Sequence, residues 1–218
     1  LDFNTDGGAD LSLEDISYQR YNTPYNFNHT FQENKNTLLT FDYDSTQRIF
    51  LQLIHEDIEP SKGKIKLGSF DIKTVAPGFV RDNIYVISKP GVFEGTISEN
   101  ITFGLDNIHP AEVNDVMEWV ELDETISSCE DGVNTLLWPK SNKVDWFDMI
   151  KIEVCRAMLR KPLWVVMASL FWQMPPEWQS KVLKKFKELG VSVIVCTNSK
   201  GRQLVEFDEY VSFESEKA

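Results

Sequence analysis

The chain has 218 residues, of which 42% are hydrophobic and 12% aromatic, so it has enough apolar side chains for one sizeable buried core. Its formal net charge of -12 argues against nucleic-acid backbones and anionic membrane surfaces as partners, because both carry negative charge. The longest nearly continuous apolar run, residues 163–172, is shorter than the roughly 18 residues that a membrane-spanning helix needs. A protein is therefore the expected kind of partner.

The start of the chain indicates a piece of a longer protein. It begins with Leu1 rather than Met, and no basic segment followed by an apolar leader is present. Residues 1–10 are polar and rich in glycine, which is typical of a linker remnant, and residues 11–218 are the expected folded domain. The three cysteines have no metal-ligand spacing, so we expect buried, reduced thiols; they are Cys129, Cys155 and Cys196.

The first half of the chain reads as strands followed by helices. Nearly alternating apolar residues predict a strand over 11–18, and residues 36–41 and 63–72 predict two more, the last after a turn at Pro60. Residues 109–122 place valines and a methionine at helical spacing behind a proline, which favours a helix.

The last third alternates strand and helix. The pattern predicts amphipathic helices over 146–161 and 175–190, with the second ending at a glycine. Buried strands are predicted at 162–168 and 191–197, and an edge strand at 209–214. Continuous apolar strands separated by helices indicate a parallel sheet that is covered on both faces.

Three stretches in this order resemble one family. They are "EPSKGKIKLGSFDI" (59–72), "VFEGTISENITFG" (92–104) and "CRAMLRKP" (155–162), and they are similar to segments of the nucleotide-binding domain of exporter-type ATP-binding-cassette (ABC) transporters. The resemblance covers residues 11–213. It implies an α/β, P-loop NTPase-like fold with a mostly parallel core sheet flanked by helices, an N-terminal antiparallel β part, and a helical subdomain at roughly 88–160.

The resemblance places the family's phosphate loop, GxxGxGK[ST], on residues 41–49, where no glycine is present. The lysine position holds Gln47 and the magnesium-binding hydroxyl position holds Arg48. Asp42 and Asp44 add negative charge where a polyphosphate would lie, and each such repulsion near 4 Å costs about 1 kcal/mol in water. The segment is thus not expected to cradle a phosphate.

The other nucleotide-site positions have also lost their chemistry. Where the family has an aspartate for magnesium and a glutamate as general base, this chain has Ala168 and Ser169, and a serine cannot deprotonate water as a carboxylate can. Ser88 stands at the Q-loop glutamine, Asn198 at the switch histidine, and residues 172–175 replace the D-loop. We therefore expect no ATP, no magnesium and no enzymatic activity.

The family's signature motif, LSGGQ, falls on residues 144–148. Asp145 and Asp148 are expected to cap the following helix, and they would repel the γ-phosphate that the motif's glycines bind in the family. In the family, a segment just upstream contacts the coupling helices of the membrane domain, and here that segment is Trp138–Ser141. The resemblance therefore gives less reason to expect coupling to a transmembrane domain.

Aromatic residues near these positions leave two interpretations open. We interpret Tyr18 and Tyr21, near the family's adenine-stacking aromatic, as core or edge packing. Four others either fill the space that nucleotide and partner would have occupied or form a new apolar contact surface; they are Trp146, Phe147, Phe171 and Trp172. We expect the three histidines to lie at the surface; they are His29, His55 and His109. We expect four apolar residues of 91–104 to lie in the core; they are Val92, Phe93, Ile97 and Ile101.

The favoured hypothesis is a degenerate nucleotide-binding domain of an exporter-like transport protein, with a structural or regulatory role at the cytoplasmic face of a membrane. Its expected partners are a transmembrane domain of the same or another chain, or a second ABC domain in a homodimer or heterodimer. An alternative is an active transport ATPase whose missing charge comes from Arg48, Lys62 or a partner. A third is an interaction module detached from transport.

Overall fold

The computed structural model describes residues 8–76, 78–137, 143–198 and 204–214. Within them, one antiparallel and one parallel sheet are accompanied by helices. The structure confirms the α/β class with a parallel core sheet and an N-terminal antiparallel part. None of the helices in these ranges is both long enough and apolar enough to cross a bilayer.

The antiparallel sheet has the strand order β2-β1-β4-β5. Its strands are β1 (Leu11–Arg20), β2 (Thr23–Phe31), β4 (Lys62–Leu67) and β5 (Phe70–Asp71). The prediction of one strand over 63–72 was wrong, because the chain turns at Gly68 with φ of 57° and then pairs back on itself. A side chain at Gly68 would also lie 2.6 Å from the carbonyl oxygen of Gly8, so glycine is required there.

The parallel sheet has the strand order β6-β7-β8-β3-β9, and every neighbouring pair is parallel. Its strands are β3 (Asn36–Phe41), β6 (Ile84–Ile87), β7 (Trp164–Met167), β8 (Ser192–Thr197) and β9 (Glu209–Phe213). The predictions of β3 as a strand, of β7 and β8 as buried strands and of β9 as an edge strand are confirmed, whereas β2 and β6 were not predicted.

Successive residues of the central strands point into two different cores. In β8, Val193 and Val195 face one apolar cluster, while Ile194 and Cys196 face the other. The first core lies against helices of the second half of the chain, and the second lies against the helix α1 (Asp44–Ile54) and the antiparallel sheet. Both faces of the parallel sheet are therefore covered, as predicted. Ala9, inside the expected linker range, is buried and its carbonyl accepts a 2.6 Å hydrogen bond from Trp164 Nε1.

Seven α-helices lie in the described residues. They are α1 (Asp44–Ile54), α2 (Phe79–Asn83), α3 (Ile97–Thr102), α4 (Pro110–Trp119), α5 (Asp123–Ser128), α6 (Trp146–Arg160) and α7 (Pro176–Glu188). The predicted helices that begin near residues 109, 146 and 175 are thus confirmed. α3 and α4 pack against α6 beside the first core.

The stretch 91–104 is held by its own polar side chains as well as by apolar packing. Ile97 and Ile101 are fully buried as expected, but Val92 and Phe93 are only half-buried. The side chain of Asn100, itself buried, accepts from Phe93 N at 2.9 Å and donates to Phe93 O at 3.1 Å. Asn100 therefore fixes the loop onto α3.

Of the three histidines expected at the surface, His55 and His109 are exposed and His29 is not. The His29 ring is half-buried and lies 4.6 Å from the Phe31 ring, centroid to centroid. Its Nε2 lies 3.4 Å from a carboxylate oxygen of Glu209 on β9. His29 thus lies between the two sheets, because β2 turns this side chain toward the aromatic cluster.

Candidate functional site

The predicted phosphate-loop position is a tight connection between β3 and α1. Only Asp42 and Tyr43 separate the strand from the helix. The backbone N–H groups of Thr46 and Gln47 donate to Tyr43 O at 3.1 and 3.2 Å, and Thr46 Oγ1 donates to Asp42 Oδ1 at 3.0 Å. These N–H groups are consumed by the helix itself, so they are not free to surround a phosphate as a glycine-rich loop does.

Gln47, at the position of the family's phosphate-binding lysine, contacts Ser169, at the position of its general-base glutamate. Gln47 Nε2 donates to Ser169 Oγ at 3.2 Å, and Ser169 Oγ donates to Gln47 Oε1 at 3.0 Å. Gln47 is only 7% exposed, and Ser169 is half-buried just after β7. Two neutral side chains therefore satisfy each other at the place where the family needs a cation and a carboxylate.

Asn198, at the position of the family's switch histidine, directly follows β8 and contacts the first turn of α1. The Asn198 side chain donates to Asp44 Oδ1 in the first turn of α1. Ala168 is buried beside this region, and its N–H donates to Ile87 O at 2.9 Å, which ties the end of β7 to β6. Ser169 and Asn198 thus each contact a side chain of α1, through Gln47 and Asp44 respectively.

Three other predicted positions are exposed to solvent. Arg48 and Ser88 are exposed. Tyr21 is 90% exposed in the turn between β1 and β2, with φ of 55°, so the expectation that it packs was wrong: the hairpin turn directs its side chain into solvent. Tyr18 is half-buried against the second core and pairs with Tyr25 across the sheet, as expected.

Asp145 begins α6 at the signature position. Its side chain accepts from Asp148 N at 2.9 Å, and Asp148 Oδ2 accepts from Asp145 N at 3.1 Å. This reciprocal capping box confirms the predicted role of both aspartates and satisfies helix N–H groups that a γ-phosphate would otherwise accept from. Residues 138–141, the predicted membrane-coupling segment, lie outside the described ranges.

The four aromatic residues near these positions divide into two pairs. Phe171 is fully buried, and half-buried Trp172 donates from Nε1 to Cys196 O at 3.1 Å, so both pack inward. Trp146 and Phe147 are 47% and 43% exposed, so they form an apolar surface and do not fill a vacated space. The packing interpretation therefore applies to Phe171 and Trp172, and the surface interpretation applies to Trp146 and Phe147.

A junction network, which the sequence did not reveal, ties the loop after β6 to α6. We define it as Tyr85, Gly91, Asn100, Glu153 and Arg156. The Glu153 carboxylate accepts from Gly91 N at 2.7 Å, from Tyr85 Oη at 2.9 Å and from Arg156 Nη1 at 3.0 Å. Arg156 Nε donates to Asn100 O at 2.7 Å.

Burial makes this network energetically important. Glu153 and Arg156 are 4% and 5% exposed, so neither charge is solvated. Burial, and then the neighbouring Glu153 carboxylate, raises the pKa of Tyr85 to about 12. The one available signal in the sequence was two opposite charges, three residues apart, inside the otherwise apolar run of α6.

The described residues contain no group of three or more histidine, cysteine or acidic side chains that could hold a metal ion. The cysteines are free and buried, as expected, and burial raises the pKa of the Cys155 and Cys196 thiols. A raised pKa keeps a thiol protonated and unreactive at neutral pH. Cys155 and Cys196 are therefore kept in the unreactive thiol form.

No protein-family model matches the chain. It is 25% identical over 162 residues to an export ATP-binding/permease protein of Rickettsia prowazekii, and the match covers 74% of this chain and 28% of that protein. It is 28% identical over 138 residues to ABC transporter B family member 7 of Dictyostelium discoideum, covering 62% of this chain and 17% of that one. The chain thus spans about a quarter or less of these relatives.

A solved structure shares the fold over the whole chain. It is that of a bacterial Atm1-family ABC exporter with ATP bound, with a TM-score of 0.84 and 12% sequence identity. The match covers 100% of this chain and 40% of the exporter chain.

Proposed function

Because the chain is homologous to ATP-binding/permease proteins of ABC exporters and has the fold of the matching part of one, we propose that it is a degenerate nucleotide-binding domain. In this proposal it neither binds nor hydrolyses ATP. Its role is structural or regulatory and depends on contacts with other proteins.

The hydrogen-bonded pair of Gln47 and Ser169 carries this proposal. A polyphosphate with its magnesium ion needs a cationic side chain, free backbone N–H groups and a carboxylate for the metal. Here Gln47 replaces the cation and is hydrogen-bonded to Ser169, and Ala168 replaces the carboxylate for the metal. Asp42 and Asp44 bring negative charge to the same turn. The residues present therefore do not fit magnesium-ATP.

Hydrolysis would also lack its reacting groups. Neither Ala168 nor Ser169, which follow β7, has a carboxylate to orient and deprotonate water. Asn198 stands at the position of the family's switch histidine, and an amide cannot transfer a proton as an imidazole can. We therefore propose that the chain is not an enzyme.

The partners and the location follow from the relatives in the same proposal. The Rickettsia relative is named as an ATP-binding/permease protein, which supports a transmembrane domain as one partner, in the same chain or another. A second ABC domain is the other partner, and the cytoplasmic face of a membrane is the proposed location. The net charge of -12 supports protein rather than nucleic-acid contacts.

Thermal denaturation of the chain with and without millimolar magnesium-ATP tests the proposal. A ligand that binds only the folded state at a hundredfold excess over Kd stabilises it by about 2.7 kcal/mol, which shifts the melting temperature by several degrees. We expect no shift and no phosphate release. A shift that disappears in Arg48→Gln would contradict the proposal and favour an active ATPase completed by Arg48.

A further inference from the structure

Two neighbouring cavities form a groove along α4 and α7. The first has a volume of about 360 Å³ and lies between the two helices; its lining residues are Asp115, Glu118, Trp119, Lys181 and Lys185. The half-buried Trp119 ring forms its apolar wall.

The second cavity has a volume of about 430 Å³ and lies beside the start of α6. Its apolar lining includes Phe147, Met174, Pro175 and Trp178. Glu121 also lines this cavity, and its carboxylate lies 3.0 Å from the ammonium of Lys181, which lines the first. One ion pair therefore separates the two cavities, and we refer to them together as the α4–α7 groove.

The groove exposes apolar surface that the fold does not use. Phe147 is 43% exposed, and the adjacent Trp146 is 47% exposed with its Nε1 donating to Gln173 Oε1 at 3.1 Å. Large aromatic side chains are enriched at the centres of protein interfaces. Two adjacent exposed aromatics beside a cavity provide an anchor for an apolar side chain of a partner.

The lysines of the groove are already engaged. Lys185 Nζ lies 4.5 Å from the centroid of the Trp119 ring, Lys181 is paired with Glu121, and Lys151 Nζ lies 3.7 Å from Asp148 Oδ1. The cations are thus compensated within the protein.

The carboxylates are not all compensated. Asp115, Glu118 and Glu177 are exposed lining residues, and none forms an ion pair with the described residues. The uncompensated charge of the groove is therefore negative, and a second copy of this chain, also at -12, would be repelled. A basic partner has the complementary charge.

We propose that the α4–α7 groove binds a basic amphipathic segment of a partner protein. This proposal rests on the proposed function, in which the chain acts through contacts with other proteins. An apolar side chain of the segment enters the cavity beside Phe147. Its lysine or arginine side chains lie near Asp115, Glu118 and Glu177.

The probe is a short fluorescent peptide of leucine and lysine at helical amphipathic spacing, and its binding is measured by fluorescence anisotropy. The groove variant combines Asp115→Lys, Glu118→Lys and Glu177→Lys. The matched control variant has the same net charge and reverses three exposed carboxylates elsewhere; they are Asp82, Asp106 and Glu206. The control separates site binding from general attraction to an acidic protein.

We expect the groove variant to weaken binding roughly tenfold or more relative to the control variant. Phe147→Ser should also weaken it without changing the net charge. Equal weakening by the two charge variants, or equal binding of a peptide with glutamate in place of lysine, would overturn the proposal. Self-association of the chain that the groove variant abolishes would instead assign the groove to a second copy.

Failure of this experiment and failure of the proposed function are distinguishable. Peptide binding is measured without nucleotide, so a negative result leaves the absence of ATP binding untouched. Conversely, ATP binding at Arg48 would not change the charge or shape of the α4–α7 groove.

Discussion

The Gln47–Ser169 region and the junction network use polar side chains differently. The first has a buried neutral amide joined by hydrogen bonds to a half-buried hydroxyl. The second has a buried glutamate and arginine, with a backbone N–H and a phenol on the same carboxylate. A buried ion pair is thus present where elements are held together, whereas a neutral pair occupies the positions of the family's lysine and general-base glutamate. Each region can be perturbed separately.

Glu153→Ala should give the largest effect. It leaves the Arg156 guanidinium buried without its carboxylate and Gly91 N–H without an acceptor, and breaking such a buried pair costs roughly 3–5 kcal/mol. Urea denaturation followed by circular dichroism measures the free energy of unfolding. Glu177→Ala, at an exposed and unpaired position, is the control and should change it by less than about 0.5 kcal/mol. Equal losses in both variants would show that the network does not stabilise the fold.

Gly91→Ala should destabilise the protein by roughly 1–3 kcal/mol through overpacking. A Cβ atom at this position would lie 2.6 Å from Glu153 Oε1. In the Glu153→Ala background the clash is removed, so the same substitution should cost much less. A double-mutant cycle checks this, and additive losses would contradict a direct contact between the two residues.

Tyr85→Phe should cost about 1 kcal/mol at neutral pH by removing one hydrogen bond. It should also change the response to alkali, since the Tyr85 pKa is raised from 10.0 to about 12. Between these values the unfolded chain releases a proton that the folded state keeps, so stability falls as pH rises from 10 to 12. The wild type should lose on the order of 2 kcal/mol more than Tyr85→Phe over this window. Parallel pH curves for the two proteins would exclude a buried phenol at this position.

Ser169→Ala should give the smallest effect, about 1 kcal/mol, because the buried Gln47 amide loses its neutral hydrogen bonds to the Ser169 hydroxyl but no charge is left without a partner. Its free energy of unfolding is compared with that of Glu153→Ala in the same urea series. A loss as large as that of Glu153→Ala would mean that the Gln47–Ser169 pair, too, holds the fold together.

The sequence predicted the elements whose pattern is local. β3 was predicted with its observed bounds, and α6 and β8 to within a residue or two, because a continuous apolar run or a helical stripe is visible over a few residues. β2 was missed although Tyr25, Phe27 and Phe31 lie on one face, since polar residues between them resemble a loop. The turn at Gly68 was missed because the residues on both sides have strand character.

Long-range pairing explains what the sequence could not predict at the candidate site. The positions of Gln47, Ser169 and Asn198 came from the family resemblance, but their hydrogen bonds needed the fold. Glu153 reads as a solvated helix residue until Gly91, 62 positions away in the chain, is seen to donate to it. The exposure of Trp146 and Phe147 likewise depends on what packs around the start of α6.

Calorimetric titration of the chain with ATP, first with magnesium and then without it, tests the central claim most directly. We expect no binding heat at millimolar nucleotide in either titration, because Gln47 and Ser169 satisfy each other and Asp42 and Asp44 repel the phosphates. Saturable heat with a micromolar Kd would contradict it and show that this region binds ATP without the family's lysine and glycines.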